Sequence, residues 1–125
     1  MTGRGPSVLV VDDEPRVCTI LVKLLSSRGY VVTTTVRPQE ALARVEGGER
    51  YQVAILDVVM PDMPGDELAR ALRRHQPDLK ILFLSGFPEV LVQTRPMLWV
   101  GEAFLEKPFT ANGLFGTLST LLAGE

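Results

Sequence analysis

Short apolar runs alternate with stretches of helical periodicity along this 125-residue chain. The apolar runs, each of which predicts one β-strand, are Val8–Val11, Tyr30–Val36, Val53–Leu56, Ile81–Leu84 and Ala103–Leu105. The first, third and fourth runs are almost continuous in Val, Ile and Leu. Such runs are typical of strands that are buried on both faces of a parallel sheet.

The segments between the runs have the spacing of amphipathic helices. In the first of them the apolar stripe consists of Val17, Leu21, Leu24 and Leu25. Glycine and proline mark helix ends, and they predict a third helix over 65–76 and a last helix over 110–123. Between Pro88 and Gly101 we expect only a short or irregular fourth helix, because Pro96 breaks any long one.

The alternation of strands and helices predicts an α/β fold with right-handed crossovers and helices on both faces of one sheet. The most economical arrangement is a doubly wound, five-stranded parallel sheet of flavodoxin-like order 2-1-3-4-5. We expect one domain over residues 7–123, preceded by a flexible tail at 1–6.

Composition narrows the class of protein further. Apolar residues make up 46% and charged residues 22% of the chain, which fits a globular domain. A formal net charge of −2 gives no general attraction to nucleic acid or to anionic membranes, so we expect neither direct nucleic-acid binding nor membrane insertion. No signal peptide or long apolar span is evident, and the expected location is the cytoplasm.

Polar side chains follow four of the predicted strands, and they are Asp12, Asp13, Glu14, Asp57, Ser85, Glu106 and Lys107, with Gly86 directly after Ser85. Each has an ordinary explanation on its own, such as a helix cap for Asp13 or a surface position for Lys107. Ligands of open α/β sheets bind beyond the carboxyl ends of the strands. The coincidence at four strand ends therefore predicts a functional site.

The chemistry of this site follows from its charges. Clustered carboxylates repel one another unless a cation intervenes, and oxygen ligands without His or Cys suit Mg²⁺, with Mn²⁺ as an alternative. An aspartate can act as a nucleophile toward phosphorus, and Lys107 with a metal ion would neutralise the phosphoryl oxygens. Ser85 would donate a hydrogen bond to the same group, and Gly86 leaves room for it.

The chain resembles the receiver domains of response regulators. The matching motifs, which arrive in the family's order and with its spacing, are residues 10–15, 56–61, 64–65, 84–86 and 104–109. The residues of the last two motifs are similar to those found in the receivers of hybrid sensor histidine kinases. The resemblance covers nearly the whole chain.

The resemblance implies a phosphoacceptor signalling domain of a two-component phosphorelay. Asp57 would accept a phosphoryl group from a phosphohistidine on a histidine kinase or a histidine phosphotransfer domain. Asp13, Asp57 and the main-chain carbonyl of Val59 would bind Mg²⁺ directly, and Asp12 would act through water. Such a domain is not an enzyme in the usual sense, since it catalyses only its own phosphorylation and dephosphorylation.

The resemblance also implies a switch. Ser85 and Lys107 would bind the phosphoryl oxygens, Ser85 and Phe104 would move on phosphorylation, and the Lys107–Pro108 peptide bond would be cis. Phe104 could equally be a plain core residue. The face formed by the fourth helix, with Met97 and Trp99, the fifth strand and the last helix is a possible homodimer or effector surface.

Three other functions fit the residues less well. A degenerate receiver that binds partners without phosphorylation is disfavoured because every required side chain is present. A phosphatase of the haloacid-dehalogenase type needs a second aspartate two residues after the first, where this chain has Glu14 or Val59. A flavin binder needs a phosphate loop after the first strand, and Asp12, Asp13 and Glu14 would repel that phosphate.

Overall fold

The computed structural model describes residues 5–86 and 101–123. In that part of the chain five strands form one sheet, and they are β1 (Ser7–Val11), β2 (Val31–Thr35), β3 (Val53–Asp57), β4 (Lys80–Ser85) and β5 (Glu102–Glu106). Three helices alternate with the first four strands, and they are α1 (Pro15–Ser27), α2 (Pro38–Glu46) and α3 (Gly65–His75). A further helix, Ala111–Ala123, follows β5 and is called the last helix below.

The strand order is β2-β1-β3-β4-β5, and every neighbouring pair is parallel. This confirms the predicted doubly wound, flavodoxin-like α/β fold. The order reverses direction between β1 and β3, which pair in register from Val8 opposite Val53 to Val11 opposite Leu56. Such a reversal leaves a crevice at the carboxyl ends of these two strands, where ligands of this architecture bind.

Two apolar cores hold the helices against the two faces of the sheet. Alternate residues of a strand point to opposite faces, so Leu9 and Val11 belong to one core and Val8 and Val10 to the other. The first core also contains side chains of α2 and α3, among them Ala41, Val45, Leu68 and Leu72. The second contains side chains of α1 and the last helix, among them Leu21, Leu25, Leu114 and Leu118.

The helix ends lie close to where glycine and proline predicted them. Gly29 and Gly48, which follow α1 and α2, have φ angles of +86° and +104°, a left-handed conformation that glycine adopts without a Cβ clash. The third helix ends at His75, one residue before the predicted end, because Gln76 leaves the helical conformation ahead of Pro77. The last helix begins at Ala111 rather than at residue 110.

Some sequence predictions fall outside the described residues. These are the fourth helix, apart from Gly101, the packing of Met97 and Trp99, and most of the tail at 1–6. Among the residues that the structure does describe, no helix combines the length and apolar character needed to cross a membrane.

Candidate functional site

Three parallel strands place the principal side chains of the site at one edge of the sheet. Asp12 follows β1 directly, Asp57 is the last residue of β3, and Lys107 follows β5 directly. Because the strands run in the same direction, their carboxyl ends meet, and the side chains converge although they are far apart in sequence. The fold thus brings these three residues of the predicted site together.

Lys107 is the electrostatic centre of this group. Its Nζ lies 2.9 Å from Oδ2 of Asp12, 3.6 Å from Oε1 of Glu14 and 3.7 Å from Oδ2 of Asp57. Asp12 and Asp57 are buried, whereas the Glu14 side chain is exposed. The ammonium therefore partly compensates two buried carboxylates that would otherwise repel each other strongly.

The backbone around Asp12 is held by the elements on either side of it. Its N–H donates to the carbonyl of Thr35 at the end of β2 at 3.3 Å, and its own carbonyl accepts from the Cys18 thiol of α1 at 3.4 Å. Oδ1 of the side chain accepts from the Glu14 N–H at 2.9 Å. Asp12 is consequently fixed before any ligand binds.

Asp57 is positioned by the loop that leads to α3. Its Oδ1 accepts from the Val59 N–H at 3.3 Å. The neighbouring residue Val58 donates to Leu84 of β4 at 2.9 Å and accepts from the Gly65 N–H at 2.9 Å. A Cβ on Gly65 would lie only 2.2 Å from the Asp57 carbonyl oxygen, so the start of α3 can approach the strand this closely only without a side chain.

The donor set fits a hard divalent cation. Asp12, Asp13 and Asp57 each offer a carboxylate oxygen, and these oxygens lie within 4.8 Å of one another. Carboxylate oxygens at such spacing are the ligands that Mg²⁺ takes, usually with several waters retained. The predicted magnesium site is therefore compatible with the residues that the fold brings together.

Burial shifts the protonation equilibria of the site. Burial, reinforced by the negative charge of Asp12, raises the pKa of Asp57 to about 7, although Lys107 and the Val59 N–H act in the opposite direction. Burial likewise raises the pKa of Asp12. For Lys107 burial would lower the pKa, but the contacts with Asp12, Asp57 and Glu14 outweigh it and raise the pKa.

An open cleft of about 360 Å³ lies over these groups, and it is lined by Asp13, Glu14, Asp57, Val59, Gly86 and Lys107. A Cβ built on Gly86 would meet no atom of the described residues within 4 Å, which agrees with the predicted free space beside this residue. The cleft thus opens to solvent over Asp57 and Lys107, whose side chains are 8% and 18% exposed.

Three residues predicted for the site, Asp12, Ser85 and Phe104, are not among those that line the cleft. Ser85 is fully buried at the end of β4, where its carbonyl accepts from the Lys107 N–H at 2.8 Å. Phe104 lies in β5 opposite Phe83 of β4 and is half-buried against the core formed with α2 and α3. The Lys107–Pro108 peptide bond is cis, as the resemblance implied.

Sequence reasoning gave no role to two residues that shape the site. Glu14 was noted only as part of an acidic run, yet its carboxylate reaches Lys107. Gly65 was predicted only as part of a motif and as the start of the third helix, yet it also permits the close approach of α3 to Asp57. The run of acidic residues could have indicated that Glu14 belongs to the site. The approach of Gly65 to the Asp57 carbonyl depends on the path of the β3–α3 loop, for which the sequence gives no signal.

Comparison with known proteins agrees with the geometry. A family model described as the response regulator receiver domain matches residues 8–119. The chain is 39% identical to the sensor kinase CckA of Brucella abortus over 118 residues, which cover 93% of this chain but 12% of that kinase. It is 33% identical to the response regulator receiver protein CpdR of the same organism, over 92% of this chain and 95% of that protein.

A solved structure shows the same fold. The response regulator TrrA of Thermotoga maritima, crystallised in complex with Mg²⁺ and BeF, superimposes with a TM-score of 0.81 at 30% identity, covering 94% of this chain and all of the other. The family model spans most of the chain, and the strand order and the acidic cleft agree with it. This chain belongs to the response regulator receiver domain family of two-component signalling.

Proposed function

We propose that this receiver domain accepts a phosphoryl group on Asp57 from a phosphohistidine, with Mg²⁺ bound beside it. The observation that carries the proposal is the position of the Lys107 ammonium, 2.9 Å from Asp12 and 3.7 Å from Asp57 at the floor of an open acidic cleft. A fixed cation next to an accessible carboxylate is the arrangement that phosphoryl transfer to an aspartate requires.

In the proposed reaction a carboxylate oxygen of Asp57 forms the new bond to phosphorus while the phosphorus–nitrogen bond of the donor breaks. The released imidazole nitrogen takes up a proton. Lys107 and Ser85 hold the phosphoryl oxygens, and hydrolysis of the aspartyl phosphate by water resets the domain.

Asp13, Asp57 and the main-chain carbonyl of Val59 would hold Mg²⁺ directly, and Asp12 would hold it through water. When bound, the ion neutralises charge on the carboxylates and on the phosphoryl oxygens. The close spacing of the three carboxylates supports this assignment.

Phosphorylation would shift the domain between two packings in which Ser85 and Phe104 differ. The half-buried position of Phe104 on β5 supports this part of the proposal, because a ring that is not locked in the core can change its burial. The face that contains β5 and the last helix would then bind a second copy or an effector.

The proposed partner is a histidine kinase or a histidine phosphotransfer domain in the cytoplasm. The similarity to the sensor kinase CckA and to the receiver protein CpdR supports this class of partner. We retain residues 7–123 as the receiver domain, and neither nucleic-acid binding nor membrane insertion belongs to the proposed function.

Incubation with acetyl phosphate and Mg²⁺, followed by intact mass spectrometry, tests the proposal. We expect a gain of one phosphoryl group in the parent and no gain in Asp57→Asn or in the presence of a chelator. Asp78→Asn is the matched control, since Asp78 is exposed and pairs only with Arg50 in the described contacts.

The outcome separates the alternatives. Phosphorylation that persists in Asp57→Asn would rule out Asp57 as the acceptor. A parent that gains no phosphoryl group from any donor would favour a receiver that binds partners without phosphorylation.

A further inference from the structure

The side chain of Glu14 stands at the mouth of the acidic cleft. It is 66% exposed, and its Oε1 lies 3.6 Å from Nζ of Lys107. Glu14 is the N-cap residue of α1, but its side chain makes no capping hydrogen bond. Its carboxylate therefore faces Lys107 at the cleft and accepts no hydrogen bond from the first turn of the helix.

The backbone of Glu14 has a separate structural role. Its carbonyl accepts from the N–H groups of Val17 and Cys18 at 3.1 Å and 3.3 Å, and its N–H donates to Asp12. These bonds do not involve the side chain. Glu14→Gln therefore removes the charge and leaves the first turn of α1 in place.

The charges around the cleft are unbalanced. Among the described residues, four carboxylates, of Asp12, Asp13, Glu14 and Asp57, lie around one ammonium, that of Lys107. Formally this leaves three negative charges, and one bound divalent cation would still leave one. Asp12, Asp13 and Asp57 form the candidate metal group, whereas Glu14 is outside it.

We infer that Glu14 is a specificity-determining residue that slows phosphoryl transfer from small dianionic donors. This inference rests on the proposed function. The exposed carboxylate repels a dianion that approaches the cleft, and it competes with the phosphoryl oxygens for Lys107. Both effects disfavour a donor in proportion to its negative charge.

The expected size of the effect follows from Coulomb's law. A unit charge about 8 Å from a dianion in a water-like medium changes the rate about fourfold at 0.01 M ionic strength. Screening reduces this to about twofold at 0.15 M and abolishes it near 1 M. A donor with one net negative charge would show only about a twofold change at 0.01 M.

A role for Glu14 in positioning Lys107 would change the rate in the opposite direction. If Glu14 served mainly to hold Lys107 in position, its removal would slow phosphorylation with every donor. The sign of the change therefore distinguishes repulsion from positioning, and its dependence on donor charge and salt distinguishes repulsion from a general structural effect.

The test compares initial rates of phosphorylation of the parent, Glu14→Gln and Glu14→Asp at saturating Mg²⁺ and constant pH. Acetyl phosphate is the dianionic donor, and phosphoramidate, with its protonated nitrogen, is the less negative one. Glu46→Gln is the matched control, because it makes the same charge change on an exposed residue at the far end of α2.

We expect Glu14→Gln to be about fourfold faster than the parent with acetyl phosphate at 0.01 M ionic strength and less accelerated with phosphoramidate. Glu46→Gln should match the parent, and Glu14→Asp, which keeps the charge but shortens the side chain, should be accelerated less than Glu14→Gln. Equal rates for Glu14→Gln and the parent, a slower variant, or an acceleration that persists at 1 M salt would overturn the inference. Failure of every protein to accept a phosphoryl group from either donor would instead overturn the proposed function on which the inference rests.

Discussion

At the scale of single residues, the buried carboxylate of Asp57 lowers the stability of the folded domain. Its carboxyl is buried near Asp12, and its pKa is raised to about 7. A carboxyl with a higher pKa in the folded chain than in the unfolded chain destabilises the fold once it ionises. The penalty is absent below the unfolded pKa near 4, grows as the pH rises and is complete above pH 7.

Asp57→Asn should therefore stabilise the domain in the absence of divalent cations, and more strongly at pH 8 than at pH 5. A shift of about three pKa units corresponds to an upper limit of about 4 kcal/mol at pH 8. Urea unfolding in the presence of a chelator measures this difference, and added Mg²⁺ should reduce it because the ion compensates the carboxylates. Asp78→Asn, at an exposed site, should show no such dependence. A difference that does not change with pH would contradict the assignment.

At the scale of secondary-structure elements, the site depends on how closely α3 follows β3. The Gly65 N–H donates to the Val58 carbonyl at 2.9 Å. Because Gly65 has no side chain, it can lie beside the Asp57 carbonyl without a clash. The β3–α3 loop thereby holds the backbone of Asp57 between two elements. A substitution at Gly65, the first residue of α3, should therefore displace the backbone of Asp57, the proposed phosphoacceptor.

Gly65→Ala should destabilise the domain by about 2 kcal/mol or more and slow its phosphorylation, since the new Cβ forces the backbone apart. Gly116→Ala in the last helix is the control, because a Cβ there meets no atom within 4 Å in the part of the chain that the structure describes. Alanine in that helix interior should stabilise it by about 1 kcal/mol. Urea unfolding together with the acetyl phosphate assay measures both effects. Equal stability of Gly65→Ala and the parent would show that the loop relaxes freely.

At the scale of the whole molecule, Arg73 joins α3 to the sheet at the end opposite the cleft. Its Nε donates to the Leu79 carbonyl at 2.9 Å, Nη1 to Glu102 at 3.0 Å and Nη2 to the Gly101 carbonyl at 3.1 Å. The Glu102 side chain is fully buried, and the Arg73 side chain is 15% exposed. In the described sheet β5 pairs only with β4, so these bonds add a second attachment for the strand that leads to Lys107.

Arg73→Met should destabilise the domain by about 3 kcal/mol, because it leaves the Glu102 carboxylate buried without this partner. Arg50→Met breaks an exposed ion pair with Asp78, whose side chains are 63% and 76% exposed, and should cost less than about 1 kcal/mol. Urea unfolding of the two variants at one pH provides the comparison. Similar losses in both would mean that the buried pair contributes little.

The sequence by itself determined the fold class, the strand order and the convergence of Asp12, Asp57 and Lys107. Apolar periodicity identifies strands and helices, and parallel strands must bring their carboxyl ends to one edge. Contacts across loops were decided only by the tertiary structure. The approach of Glu14 to Lys107 and of Gly65 to Asp57 depends on backbone paths that no residue pattern encodes.

The burial of Ser85 and the attachment of Arg73 to Glu102 were likewise settled only in the folded chain. Local propensity acts over a few residues, whereas these features join residues up to 29 positions apart through packing. The sequence predicts some features and not others because its periodicity specifies only which side of a helix or strand is buried. Only the assembled elements fix the distances between side chains.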